Sequence, residues 1–138
     1  AGGESCHSID SAKNMMKFGK VKFIQIDAGI AGGILAGKEI AEYAERNDIK
    51  YVNHTFTSHL QLSSSMQAYA GLVNSNLAEY PMQLKSLAWD ITKNHILMNN
   101  DGLINIPSDI GHGMIINEDA LKKYKVDVEI RINNKKVF

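Results

Sequence analysis

The sequence predicts an α/β fold: the C-terminal part of a (β/α)8 barrel, about strands 5/6 to 8, followed by a small α+β segment. Three observations carry this. Helical and strand-like stretches alternate from Ser8 to Glu79. The strand-like stretches are short, and the first is rich in β-branched residues. Each ends in an ionisable residue, one helix apart from the next. Helix, strand, helix, strand, helix, strand implies parallel strands joined by crossover helices.

Ser8 to Phe18 opens the alternation. Ser8 can cap, Ile9, Ala12, Met15, Met16 and Phe18 form a helical stripe, and Gly19 can close it. Val21–Asp27 follows as a strand, and Ala28–Gly33 as a loop made flexible by its glycines. Ile34–Asn47 predicts a helix with Ile34, Leu35, Ile40, Ala41, Tyr43 and Ala44 apolar and charges outside. Ile49–His54 is the next strand, Leu60–Val73 the next helix, and Asn76–Glu79 a third short strand ending before Tyr80-Pro81.

Beyond Pro81 the character changes. Gln83–Asp90 can form a helix. Ile96–Pro107 predicts a hairpin around Asn99-Asn100-Asp101-Gly102. Asn117 can cap a helix over Glu118–Tyr124, and Val126–Ile132 alternates as a strand before a turn at Asn133-Asn134. Residues 1–90 are therefore expected to form the barrel part, and 91–138 the appendage.

Composition narrows the class. The chain has 138 residues, 44% of them hydrophobic, enough for one core. Its 15 basic and 15 acidic residues balance, and the lysines of 122–125 and 135–136 read as a solvated face, so no nucleic-acid partner is expected. No apolar run approaches the roughly 20 residues that span a bilayer, so no membrane partner is expected either. A single cysteine, Cys6, excludes an internal disulfide and a Cys-rich zinc site and suits the cytoplasm. Opening on Ala1-Gly2-Gly3-Glu4, with no element before Glu4, the chain reads as a fragment or the ordered remainder of a longer protein.

The chemistry is expected at the strand ends. Asp27, His54 and Glu79 each finish a strand, and Glu4 stands where a preceding strand would end. They lie 23, 27 and 25 residues apart in turn. In α/β barrels the strand C-termini converge on one mouth. Any one of these residues alone would read as a helix cap. Four in register, with a histidine among them, are harder to explain that way.

These residues carry a resemblance. Glu4 in Gly-Gly-Glu-Ser, Asp27 in Gln-Ile-Asp-Ala with Gly32-Gly33-Ile34 following, His54 in Val-Asn-His, and Glu79 together resemble the enolase superfamily, in its mandelate racemase-like branch. Asp101-Gly102, Ile106-Pro107 and Gly111-His112-Gly113 resemble that family's closing segment, which returns to a capping domain. His112 departs from the apolar residue more usual there. The resemblance implies that Glu4 is one of three carboxylate ligands of Mg²⁺, the other two and a lysine motif belonging to earlier strands. It implies that His54 moves the proton on the carbon next to a carboxylate, and that Asp27 orients His54. Glu79 would lie near the substrate carboxylate and help stabilise an enediolate.

Those residue types suit that chemistry. A proton beside a carboxylate is too weakly acidic for unaided imidazole, and a divalent cation neutralises the enediolate as it forms. Mg²⁺ prefers hard oxygen ligands. Imidazole can both take and return a proton near neutrality. The muconate-cycloisomerase and dipeptide-epimerase branches carry Lys where Asp27 stands, which favours racemases and sugar-acid dehydratases. A dehydratase acting on a small sugar acid is the leading expectation, in a homo-oligomer. A racemase, epimerase or cycloisomerase is the alternative. A catalytically incomplete half-barrel acting through association, or a metal binder without turnover, is the non-enzymatic one.

The remaining candidates read as structural. His59 is expected at a loop or helix start, His7 exposed, His95 on the surface, and Cys6 inert. Trp89, Tyr80 and Phe56 are expected to pack, and Met15, Met16, Met66 and Met82 to fill the core.

Overall fold

The computed structural model describes residues 1–83 and 85–137. Helix α1 spans Ile9–Gly19, and Ser8 caps it reciprocally: Ser11 N donates to Ser8 Oγ and Ser8 N donates to Ser11 Oγ, each at 3.1 Å. Lys20, not Gly19, takes the left-handed position after it (φ 49°). Strand β1, Phe23–Ile26, pairs in parallel with β2, Lys50–Asn53, setting Ile24 beside Tyr51 and Ile26 beside Asn53. Helix α3, Ile34–Arg46, makes the crossover, and α4, His59–Gln67, follows β2.

On its other edge β1 meets the chain's start. Gly2 N donates to Phe23 O at 3.1 Å, and Gln25 N donates to Gly2 O at 2.9 Å. Glu4 thus does follow an extended, parallel-paired segment. Gly3 makes this approach possible at φ 122°: a Cβ there would lie 2.6 Å from Ile24 Cδ1 and 2.8 Å from Gln25 O.

The core lies between this sheet and its helices. Ile24, Ile26 and Tyr51 pack with Ala12 and Met16 of α1, Ile40, Ala41 and Ala44 of α3, and Ala68 and Tyr69 beyond α4. Complete burial of each isoleucine contributes about 1.5–3 kcal/mol. Gly37 lets α3 approach closely, since a Cβ there would come within 2.8 Å of Ala68 Cβ.

Several expectations need correction. The loop after β1 contains a helical turn, α2 (Ala28–Ala31), because Asp27 caps it and Gly32 ends it at φ 118°. No ladder forms over 76–79; the Asn53 side chain holds that segment instead. The helix expected to reach Val73 ends at Gln67. Residues 96–107 form no paired strands, although Asn99 does turn the chain by accepting from Asp101 N and Leu103 N. The helix expected over Gln83–Asp90 is α5, Ser86–Asp90; Leu84 lies outside the described residues.

Toward the end the expectations hold better. Helix α6 spans Glu118–Tyr124 with Asn117 as its cap. The alternating tail keeps only the two-residue strands β3 (Arg131–Ile132) and β4 (Lys135–Lys136), joined through Asn133 and Asn134, both at positive φ. Met16 and Met66 are buried, whereas Met15 and Met82 are exposed, and Cys6 is buried in the core. Among the described residues no helix is long and apolar enough to cross a membrane.

Candidate active site

Each βα junction presents a polar side chain on one side of the sheet. Side chains alternate along a strand, so Ile24, Ile26, Tyr51 and Asn53 face the helices. Gln25 and His54 face the other way. His54 follows β2 directly, its backbone N donating to Ile26 O at 2.9 Å, so the sheet fixes where its ring starts.

The imidazole stands between two carboxylates. Its Nδ1 is 2.9 Å from Glu79 Oε2, and its Nε2 is 3.5 Å from Glu4 Oε2. The His54 side chain is 17% exposed, Glu79 34% and Glu4 66%, so the site opens on the Glu4 side. Gln25 Nε2 also donates to Glu79 Oε2 at 3.4 Å. Phe56 lies over the histidine, ring centres 5.3 Å apart. Phe56, expected to pack, makes this contact while remaining largely exposed.

Asp27 sits differently. It is 3% exposed. One of its oxygens accepts from Gly29 N at 2.9 Å, from Ile30 N at 3.2 Å, and from the Gln61 side chain. His54 does not donate to Asp27, the carboxylate expected to orient it. Helix α2 begins at the very next residue, and its unpaired N–H groups claim the carboxylate. The carboxylate on Nδ1 is instead Glu79. Glu4, His54 and Glu79 are therefore brought together, and Asp27 stands one residue beyond the Ile26–Asn53 pair, bound to its own helix.

A carboxylate on Nδ1 has a chemical consequence. If Nδ1–H donates to Glu79, Nε2 is left with its lone pair, facing the open side. Such a nitrogen can accept a proton, and Glu79 stabilises the imidazolium that results. Glu4 is a hard oxygen donor of the kind Mg²⁺ takes. Among the described residues no group of three His, Cys, Asp or Glu is arranged to hold a metal ion.

Three residues of the site are not evident from motif spacing: Gln25, Gln61 and Asn53. Asn53 gives one signal, a polar residue at a core-facing strand position.

The other histidines are placed as follows. His59 starts α4 as expected, but is only 1% exposed. Its Nδ1 accepts from Ile96 N at 3.1 Å, and its edge meets the rings of Trp89 and His95. Burial above all, then the nearby His95, pushes its pKa below the ordinary histidine value. His95 is half-buried and stacks on the exposed Trp89 with ring centres 3.7 Å apart. Tyr80 packs as expected and donates to Ile96 O at 3.0 Å. His7 is exposed.

This arrangement has relatives. Residues 1–120 match the family model described as Enolase C-terminal domain-like. The chain is 25% identical over 134 residues to the D-galactarolactone cycloisomerase of Agrobacterium fabrum, covering 91% of this chain and 35% of that protein. It is similar to the crystal structure of a predicted mandelate racemase from Rhodobacter sphaeroides, with TM-score 0.93 and 44% identity over 99% of this chain and 35% of that one. It is also similar to the mandelate racemase/muconate lactonizing enzyme of Jannaschia sp. CCS1, with TM-score 0.78 and 18% identity over 93% and 32% of the two chains. That last likeness speaks for the fold alone. The chain spans about a third of the length of these relatives. Its parallel βα units are thus part of an enolase-type α/β fold, and the chain belongs to the enolase C-terminal domain-like family.

Proposed function

We propose that this chain supplies the acid–base half of an active site that removes the proton α to a carboxylate, in an enzyme acting as a sugar-acid dehydratase. One observation carries the reading: His54 stands between Glu79 on Nδ1 and Glu4 on the Nε2 side.

With Nδ1–H given to Glu79, His54 Nε2 takes the α proton, and the C–H electron pair passes into the carboxylate as an enediolate. When the pair returns, the bond to the β-hydroxyl breaks. The imidazolium gives its proton to that leaving oxygen, releasing water and an enol that becomes the 2-keto acid. Glu79 holds the ring orientation through both transfers. Bound at Glu4 and at ligands from elsewhere in the enzyme, Mg²⁺ would neutralise charge on the substrate carboxylate. Asp27 acts on the site indirectly, by capping α2 level with His54.

A second reading has its own support. The similarity to a D-galactarolactone cycloisomerase favours a cycloisomerase acting on a sugar-acid lactone. The same His54 would remove the proton, and a ring oxygen would replace the hydroxyl as the group that leaves.

A panel of sugar acids and their lactones, incubated with full-length enzyme and Mg²⁺ and followed by proton NMR, tests this. A 2-keto-3-deoxy acid is the expected product. The same kind of product formed only from a lactone, by ring opening with no water lost, would replace the first reading with the second. No conversion anywhere in the panel contradicts both.

A further inference from the structure

We propose that Asn53 is a positioning residue that sets the Glu79 carboxylate on His54 by clamping the Glu79 backbone. The proposal rests on the reading of His54 and Glu79 above.

Asn53 is fully buried on the core side of β2. Its Oδ1 accepts from Glu79 N at 3.0 Å and from the Tyr69 hydroxyl at 2.9 Å. Its Nδ2 donates to Glu79 O at 2.9 Å and to Thr55 Oγ1 at 3.0 Å. A carboxamide has two donor hydrogens and one oxygen with two lone pairs, and all four are used. Turning the amide over would set N–H against N–H and oxygen against oxygen, so its orientation is fixed by its partners.

Gripping both the N–H and the C=O of one residue is what a neighbouring strand does in a sheet. Residues 76–79 form no such ladder, and one side chain does the work for them. From that single fixed point the Glu79 side chain reaches His54 Nδ1. The clamp and the proposed base are consecutive residues, one on each face of β2. Tyr69 supports the clamp: burial pushes its hydroxyl up to about 12, so it stays a donor at working pH. Asn53 touches none of the reacting atoms and acts only through Glu79.

An acid at position 53 should not substitute. A carboxylate could still accept from Glu79 N, but it would face Glu79 O with no hydrogen to give.

The test is a double-mutant cycle of Asn53→Ala and Glu79→Gln in the full-length enzyme, read as kcat and KM on its sugar acid. Asn53→Ala should lower kcat about 10–100-fold with KM little changed, as expected when a reacting group is displaced by an ångström or so. The double variant should be no worse than Glu79→Gln alone, within about twofold. Losses that multiply, or a kcat for Asn53→Ala within about twofold of wild type, would overturn the proposal.

If Asn53→Ala does not fold, Tyr69→Phe removes one partner of the clamp. It should lower kcat about threefold in the wild-type background and not in Glu79→Gln. An equal loss in both backgrounds overturns the proposal. A crystal structure of whichever variant folds separates this inference from the functional reading. Glu79 withdrawn from His54 Nδ1 supports the clamp even in an enzyme that turns over no sugar acid. Glu79 still in place in Asn53→Ala refutes it.

Discussion

Residues 1–80 and residues 85–137 are held together by different means. In the first region, parallel strands and capped helices satisfy most of the backbone, and side chains are left to fill the core and the site. In the second, side chains tie down the backbone. Asn94 donates to Gly113 O and accepts from Ile115 N, each at 2.8 Å, and Asn117 donates to Asp90 O at 2.9 Å. From α4, Gln67 reaches Pro107 O at 2.7 Å and Ser63 reaches His112 O. Many of the second region's apolar side chains are exposed, among them Leu97, Leu103 and Ile110. The difference teaches that the site draws on both kinds of order: His54 takes its direction from the repeating backbone of β2, whereas Glu79 is held by one side chain, in the manner of the second region.

Breaking the core should show this contrast most strongly. Ile40 is fully buried among Ala12, Ile24 and Tyr51. Ile40→Ala should cost about 2–5 kcal/mol in urea or thermal unfolding. Asn94→Ala probes the other mode of order. It removes two hydrogen bonds and should cost about 1–2 kcal/mol. Limited proteolysis should then cut near 107–115 while far-UV circular dichroism is unchanged; loss of helix signal would show that the two regions do not differ in this way.

A smaller effect lies at the seam between them, where His59 joins α4 to Ile96. The folded imidazole holds its proton less tightly than an unfolded one, so unfolding takes up a proton in mild acid. The stability given by neutral His59 is complete above the ordinary histidine pKa. It is lost as pH falls through that value toward the lowered folded one. His59→Asn keeps an acceptor for Ile96 N, and denaturant midpoints should then fall less steeply between about pH 7 and pH 5. An unchanged slope would assign the acid sensitivity to other groups. Smallest of all should be Ile110→Ala, at a fully exposed side chain. A change within about 0.5 kcal/mol is expected.

The same contrast explains what could be read from the sequence. Period and capping gave Ser8 with α1, the parallel pairing of β1 and β2, and Asn117 with α6, because those signals are local. The strand-end rule picks out Glu4, Asp27, His54 and Glu79. It did not reveal which carboxylate would take His54 Nδ1, because that depends on a competition. Asp27 lies next to unpaired N–H groups of α2 and is claimed by them; Glu79 has no helix beginning at its back. The hairpin expected at 96–107 and the strand expected at 76–79 failed for a related reason. Side chains from distant elements satisfy those segments, Asn53 at Glu79, His59 and Tyr80 at Ile96, and Gln67 at Pro107, across separations in sequence that no local pattern records.

Hydrogen exchange at the substrate's α carbon in D2O tests the central claim most directly, with the full-length enzyme compared against His54→Asn. The account predicts deuterium incorporation by the wild type, loss of at least about a thousandfold in His54→Asn, and unchanged Mg²⁺ affinity. Exchange that continues in His54→Asn at near the wild-type rate would contradict it, and would move the base to another strand end.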